Sequence, residues 1–256
     1  QICSKFFNSK PRNIIAVTGT NGKTSVADFF YQILKLNNIH VASIGTLGIK
    51  LDKKTLNTKL TSPDVITLHK NLEILKKNKI ENVIIEASSH GLDQNRLDNL
   101  NFKAGIFTNL SQDHLDYHKT MRSYLESKMV LFKALLPKKS FVITDGKLKE
   151  FSILKKISKK KKLRLIDINK EDLILKQLSD YFIKSFQYKN LLMAIAAARL
   201  CGLSKKKINF AIPKILHVNG RLEFVKNFPG NVKVFIDYAH TPDALQQALK
   251  SIKKIY

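Results

Sequence analysis

The chain has 256 residues, 44% hydrophobic and 25% charged, a balance that excludes a disordered tract and suits one large domain, or one domain and part of another. No apolar run is long enough to span a membrane, since the best, residues 191–198, is broken by Arg199. The net charge is +25, yet lysine dominates it and is spread along the chain, which points to solvated faces more than to a nucleic-acid groove.

Short apolar, β-branched runs alternate with helical patterns, the signature of a mostly parallel α/β sheet. Strands are expected over residues 13–18, 40–44, 82–87, 104–108 and 141–144. Helices are expected to begin near Thr24, Pro63, Thr120 and Phe186. For the second of these, Ser62 is the expected cap, with Pro63 at the first helical position and Asp64 at the positive helix end. The third is expected over residues 120–135. Residues 152–180 give a poor signal and read as weak strands with basic loops. A helix over 188–201 should stop at Gly202, and another is expected over 205–216. The pattern resets near residues 217–221. A strand over 232–237 then precedes a helix from about Thr241, with Pro242 at its first position. That last strand–helix start cannot fill a domain in the residues remaining.

Chemistry concentrates at three places. The segment GTNGKTS comprises Gly19, Thr20, Asn21, Gly22, Lys23, Thr24 and Ser25. It follows an apolar strand and opens a helix. Glycines let backbone N–H groups turn toward an anion, the helix end adds its dipole, and Lys23 adds a full charge. Val17 stands where the first glycine of the usual phosphate-loop spacing belongs, so a structural turn is the competing reading. A nucleoside triphosphate site accounts better for the Gly-Lys-Thr-Ser ending. Glu86 sits at an apparent carboxyl strand end, where α/β sheets place ligands. Residues 113–118 offer Asp113, His114, Asp116 and His118. Spacing alone leaves both a hydrolytic metal site and a bland polar loop open there. Beside a phosphate loop, magnesium and nucleotide chemistry become the better reading, because magnesium prefers oxygen ligands. Cys3 and Cys201 match no metal spacing and read as reduced thiols. With no secretory apolar core at the N-terminus, a cytoplasmic location is expected. The basic run 155–164 lacks an aromatic platform or nucleic-acid motif, so no nucleic-acid partner is expected, and no membrane partner either.

Read in order, GTNGKTS, LTSPD, EASSHGLDQNR, FTNLSQDHLDYH, YLESK, NGRLE and DYAHTPDAL resemble the Mur ligases, and among them the MurE type. The glycine loop is shared with folylpolyglutamate synthases and cyanophycin synthetases. The pair SSHGLDQNR and TNLSQDHLDYH is more specific to the MurE type. The resemblance covers nearly the whole chain. It implies an ATP-dependent amide ligation in peptidoglycan precursor synthesis, with a diamino acid, meso-diaminopimelate in the main reading, joined to UDP-MurNAc-L-Ala-D-Glu through an acyl phosphate.

The resemblance also implies roles. Residues 19–25 would hold the ATP phosphates, with Lys23 on the outer ones. Thr24 and Glu86 would bind one Mg2+, and His114 with a carbamylated Lys128 a second. An ammonium cannot ligate a cation, whereas CO2 addition would make Lys128 an oxygen donor; without the family it reads as an ordinary surface lysine. Thr61, Ser62, Ser88, Gln94 and Arg96 match positions that hold the nucleotide-sugar peptide. Arg96 offers a bidentate fork for an anion. Asn190 would lie near the adenine, and Arg221, Asp237 and His240 would approach ATP from the last domain. The expected division is a central ATP-binding domain over 1–216, its first 12 residues entering from a preceding domain, and the start of a second Rossmann-like α/β domain over 217–256. A monomer is expected, with no activity for this stretch alone. The rival readings are another amide ligase of the same superfamily, a basic nucleic-acid-binding phosphate-loop protein, and a metal hydrolase built on His114, Asp116 and His118.

Overall fold

All six residues of the strand Asn13–Thr18 are buried, because it lies near the middle of a sheet covered on both faces, where a continuous apolar run is required. The computed structural model describes residues 2–51, 54–58, 60–170 and 178–256. In chain order its elements are α1 (Ile2–Phe6), β1 (Asn13–Thr18), α2 (Lys23–Leu36), β2 (Val41–Gly45), β3 (Gly48–Leu51), β4 (Lys54–Leu56), α3 (Val65–Lys77), β5 (Asn82–Glu86), α4 (Ser89–Asp93) and β6 (Phe102–Phe107). There follow α5 (Leu115–His118), α6 (Met121–Val130), β7 (Phe141–Thr144), α7 (Phe151–Lys161), β8 (Arg164–Asp167), α8 (Asp180–Lys184), α9 (Gln187–Leu200), α10 (Lys205–Ala211), β9 (Glu223–Phe228), β10 (Val232–Ile236) and α11 (Pro242–Ile255).

The main sheet has the order β4-β3-β2-β5-β1-β6-β7-β8. From β2 to β8 neighbouring strands are parallel, and β3 and β4 add an antiparallel edge. This is the mostly parallel α/β sheet expected. One apolar core lies between the sheet and helices α2, α9 and α10, and a second lies beneath α3, α6 and α7. The run 191–198, too short to cross a membrane, is a helix buried on all sides against α2; no helix among the described residues is long and apolar enough to be a membrane span. Strands β9 and β10 form a separate antiparallel hairpin, followed by α11, which Thr241 caps with Pro242 in its first turn, as expected. Cys3 and Cys201 form no disulfide.

Three expectations need correction. The cap of α3 is Asp64, whose carboxylate accepts from Thr67 N at 3.0 Å; the Ser62 hydroxyl is turned inward and donates to Glu86 O at 2.8 Å. Residues 151–161, expected as weak strand and loop, are helical. Leu154 and Ser158 bury one narrow face, and the lysines around them hide that period. Beyond them β8 is indeed a strand, while residues 171–177 of the same expectation lie outside the described residues. Finally, the helix expected to 216 stops at Ala211, because Pro213 tightens the chain into a 3₁₀ turn over Ile212–Lys214. The helix expected over 120–135 keeps its length but widens to a π-turn at Leu131–Leu135.

Candidate nucleotide and ligand site

The carboxyl end of β1 delivers the chain into the glycine loop at the middle of the sheet edge. Gly19 has φ 142° and Gly22 φ 88°, conformations that L side chains rarely adopt. Both are also crowded: a Cβ on Gly19 would lie 1.9 Å from Thr108 Oγ1, and one on Gly22 2.5 Å from Asn190 Oδ1. Helix α2 starts at Lys23, with its N-terminus open to the cleft. Lys23 Nζ folds back over the loop, donating to Gly19 O at 2.9 Å and Thr20 O at 2.7 Å. Burial lowers its pKa, and the nearby Glu86 carboxylate pulls it back up.

A second segment, the exit of β6, braces this loop. Thr20 N donates to Asn109 O at 3.0 Å, Asn21 N to Asn109 Oδ1 at 2.9 Å, and Thr108 Oγ1 to Asn21 O at 2.6 Å. Thr20 Oγ1 accepts from Ser111 N and from Tyr124 Oη. Sequence reasoning missed Thr108, Asn109, Ser111 and Tyr124 as partners of the loop. They lie within the quoted motifs, but nothing in a linear motif says which loop it touches.

Glu86 ends β5 beside the loop and is 2% exposed. Thr24 Oγ1 donates to its Oε2 at 2.9 Å and Thr46 N to its Oε1 at 2.9 Å. Burial raises its pKa, opposed by Lys23, these hydrogen bonds and Arg221. Arg221 comes from the segment before β9. Its Nη2 donates to Thr24 Oγ1 at 3.2 Å, and its guanidinium lies 4.4 Å from the centre of the Tyr238 ring. Asp237 shapes that segment, accepting from Leu222 N at 2.6 Å. Leu222 has φ 51°, an unfavourable conformation for a leucine, held by this bond and its full burial.

Lys128, on α6, is 1% exposed. Its Nζ lies over the Tyr124 ring, 4.1 Å from the centre, and donates to Gly19 O at 2.8 Å. The sequence alone makes it a surface lysine; the fold turns it inward to the glycine loop. Burial, then the charge of Lys23, hold its pKa well below the usual lysine value. His114 flanks the same ring, 6.1 Å away between centres. Asp113 Oδ2 lies 3.4 Å from His114 Nε2 and 3.6 Å from His240 Nε2, linking the two histidines across the cleft. His118 is instead buried among the rings of His90, Tyr117 and Tyr124, while Asp116 is exposed. Among the described residues no three His, Cys, Asp or Glu side chains converge as a metal site, which removes the support for a hydrolase centred on His114, Asp116 and His118.

Of the five residues expected to hold a second ligand, Ser62, Ser88, Gln94 and Arg96 are linked by hydrogen bonds, and Thr61 reaches Glu86 through Thr46. Thr61 Oγ1 is 3.2 Å from Thr46 Oγ1, and Ser62 Oγ is 3.0 Å from Ser88 Oγ. Arg96 Nη1 donates to Ser62 O at 2.9 Å, and its Nη2 donates to Gln94 Oε1. On the loop's opposite flank, a cleft of about 340 Å³ is lined by residues that include Gly22, Thr24, Asn190, Arg221 and Asp237, with Leu148, Phe186 and Met193 giving apolar walls. Asn190 Nδ2 donates to Gln187 Oε1 at 2.9 Å, which fixes its amide orientation over Gly22. Thr24, which lines this cleft, also donates to Glu86, whose carbonyl accepts from Ser62 of the polar cluster.

This loop lies within residues 17–213, which match the description "Mur ligase middle domain". The chain belongs to the Mur ligase family. Curated relatives of this Mur ligase chain include UDP-N-acetylmuramoyl-L-alanyl-D-glutamate--2,6-diaminopimelate ligases. That of Rhizobium meliloti (strain 1021) is 36% identical over 98% of this chain and 56% of its own length. That of Rickettsia bellii (strain RML369-C) is 38% identical over 98% of this chain and 57% of its own. The chain thus spans little more than half the length of these relatives. A solved diaminopimelate ligase of the same name superposes with a TM-score of 0.77 at 27% identity, covering 98% of this chain and 55% of that one. A mutant L. casei FPGS superposes nearly as well, with a TM-score of 0.76, but at 14% identity; this shows a shared fold alone.

Proposed function

We propose that this Mur ligase chain is the ATP-binding core of an ADP-forming ligase that joins meso-diaminopimelate to UDP-MurNAc-L-Ala-D-Glu in the cytoplasm. The observation that carries the reading is that the glycine loop and the Ser62–Ser88–Arg96 cluster both reach Glu86, Thr24 donating to its carboxylate and Ser62 to its carbonyl. Thr24 also lines the cleft on the loop's flank, and Arg96 is tied into the cluster through Ser62 O. The relatives' names supply the substrate and the amino acid. We further propose residues 1–216 as the central domain and 217–256 as the start of the next, a division supported by the separate β9–β10 hairpin.

In this reading the backbone of residues 19–25 and the α2 N-terminus bind the triphosphate, and Lys23 leaves its two carbonyl acceptors to meet the outer phosphates. Asn190 faces the base. Arg96, Gln94, Ser88, Ser62 and Thr61 hold the nucleotide-sugar peptide so that its D-glutamate carboxylate lies beside the phosphate loop. That carboxylate accepts the phosphoryl group, and the amine of the diamino acid displaces phosphate from the acyl phosphate. Arg221 and His240, carried by the segment after residue 216, close over the phosphates from the far side. A guanidinium there neutralises charge that builds on the transferring group.

The residues present fit a magnesium ion at Thr24 and Glu86, which offer a hydroxyl and a buried carboxylate whose raised pKa a cation would offset. Magnesium takes few protein ligands when phosphate oxygens supply the rest. The ion would supply neutralisation of phosphate charge. Lys128 as an ammonium does not fit a cation; it fits as a carbamate, formed when its uncharged amine adds CO2 and loses a proton. The inward position beside the loop, with a single carbonyl acceptor, supports that assignment, and His114 would be its neighbour.

Calorimetric titration tests the reading. The chain should bind an ATP analogue and, separately, UDP-MurNAc-L-Ala-D-Glu, the second binding weakened by Arg96→Ala. Binding of a folate in place of the sugar nucleotide would move the chain to the folylpolyglutamate synthase branch.

A further inference from the structure

The positive charge of this chain is not evenly placed. Residues 138–164 hold ten Lys and one Arg against Asp145 and Glu150, a surplus of nine within the chain's total of +25. The fold gathers these cations onto one edge. Strand β7 begins at Phe141 and ends at Thr144, just before Asp145 in the nucleotide cleft, so Lys138 and Lys139 lie at the opposite, amino-terminal edge of the sheet. Helix α7 runs back toward that edge and ends there with Lys159, Lys160 and Lys161. Lys139 N donates to Lys162 O at 3.0 Å, and Arg164 N to Ser140 O at 2.9 Å, which places the two basic segments side by side. Lys155, Lys156, Lys159 and Lys160 are exposed, and among the described residues none of them forms an ion pair. Beside them an open groove of about 390 Å³ is bordered by Arg12, Lys103, Lys138 and Lys139, with no carboxylate in its lining.

We propose that this edge is a peripheral docking surface for an anionic phospholipid bilayer, with the groove accepting lipid phosphate and the α7 lysines facing the surrounding headgroups. Helix-dipole complementarity accounts for lysines in the last turn of α7, and charge on the edge strand β8 discourages strand pairing. Neither accounts for Arg12, Lys103, Lys138 and Lys139, which belong to other segments. A nucleic acid is the weaker partner for two reasons. The patch is almost all lysine, which supplies point charges without the planar fork that reads a phosphate. It also has no exposed aromatic side chain on α7 to stack a base, Ile153 being the large apolar residue exposed there. A bilayer needs only a field of several cations, each adding to the attraction. Docking by this edge leaves the phosphate loop, at the opposite edge, open. It also revises the sequence reading of the run as merely solvated.

Co-sedimentation of the 256-residue chain with lipid vesicles tests the proposal. The chain should pellet with phosphatidylcholine vesicles containing about one third phosphatidylglycerol, and stay in solution with phosphatidylcholine alone. Binding seen at about 0.1 M salt should vanish at about 1 M, where screening is much shorter-ranged. Combined Lys155→Gln, Lys156→Gln, Lys159→Gln and Lys160→Gln should weaken vesicle binding on the order of a thousandfold while ATP-analogue affinity is unchanged. Should that variant fail to fold by circular dichroism, Lys138→Gln with Lys139→Gln provides the same test on a loop. Vesicle binding unaffected by these substitutions would overturn the proposal. So would tighter binding of the native chain to an oligonucleotide than to anionic vesicles, which would identify a nucleic-acid surface instead.

Discussion

Replacing Gly22 by alanine should disturb the loop by an amount the geometry lets us work out. Gly22 adopts φ 88° and ψ −12° as the residue before α2. Holding an L side chain in the left-handed region costs about 1–2 kcal/mol. The new Cβ would also stand 2.5 Å from Asn190 Oδ1 and 3.2 Å from its Cγ, against about 3.5 Å for an unstrained contact. Asn190 would have to move by nearly an ångström, breaking its 2.9 Å bond to Gln187; a hydrogen bond of this kind contributes about 1 kcal/mol. The two effects together come to about 2–3 kcal/mol, which for a chain of this size lowers Tm by roughly 4–12 °C. Thermal unfolding followed by circular dichroism measures it, with ATP-analogue affinity measured in parallel. Asn190→Ala already lacks that bond and the crowding amide, so Gly22→Ala added to it should cost about 1 kcal/mol less than in the native chain, a recovery that leaves only the backbone strain. A Tm unchanged in Gly22→Ala, or no recovery in the double variant, would refute the account of why glycine is required there.

Lys23→Ala should reduce ligation by a full-length enzyme by about a hundredfold or more, since phosphoryl charge loses its cation; near-normal turnover would exclude the role given to Lys23. Arg96→Lys keeps charge but loses the fork that holds Ser62 O and Gln94, so affinity for the sugar nucleotide should fall while ATP-analogue affinity stays the same. Equal loss for both ligands in calorimetry would make Arg96 a support of the fold. Lys128→Met should alter the pH dependence of stability in CO2-free buffer. Burial and Lys23 lower the folded pKa of Lys128, so between its folded and unfolded pKa values the unfolded chain binds more protons, and native stability falls as pH drops from about 10 toward neutral. The methionine variant lacks that loss, and identical pH profiles in urea melts would contradict it. In the full-length enzyme Lys128→Ala should cripple phosphoryl transfer, with partial rescue by acetate or formate supplying carboxylate oxygens; full activity without rescue would dismiss the carbamate.

The motifs announced most of the site residues, because a strand end, a glycine turn and a helix start are local features with local physical causes. Gly19 and Gly22 are legible as loop glycines for that reason. Their second requirement, room for Thr108 and Asn190, is not, since it arises from segments almost 90 and 170 residues away. Lys128 shows the same limit: residue type assigns it to the surface, and only packing of α6 against the loop turns it inward. Helix α7 was obscured from the other direction, because lysines crowd a period carried by Leu154 and Ser158, with Ile157 partly buried beside them. Ser62 was read as a cap because a serine before a proline usually is one; its hydroxyl found a better partner in the Glu86 carbonyl once β5 lay alongside.

What the sequence determined by itself is therefore the alternation of strand and helix, the mostly parallel sheet, the glycine loop between β1 and α2 and the family, all of which depend on neighbours along the chain. What the tertiary structure decided is which distant groups share a space. It put Glu86 between Thr24 and the Ser62 hydroxyl, tied Arg221 to Thr24, stacked Lys128 on Tyr124, and drew Lys138, Lys139 and the α7 lysines onto one edge. The physical reason is that burial and electrostatic field depend on three-dimensional proximity, and no periodicity in a linear pattern encodes which two loops will meet at the end of a sheet.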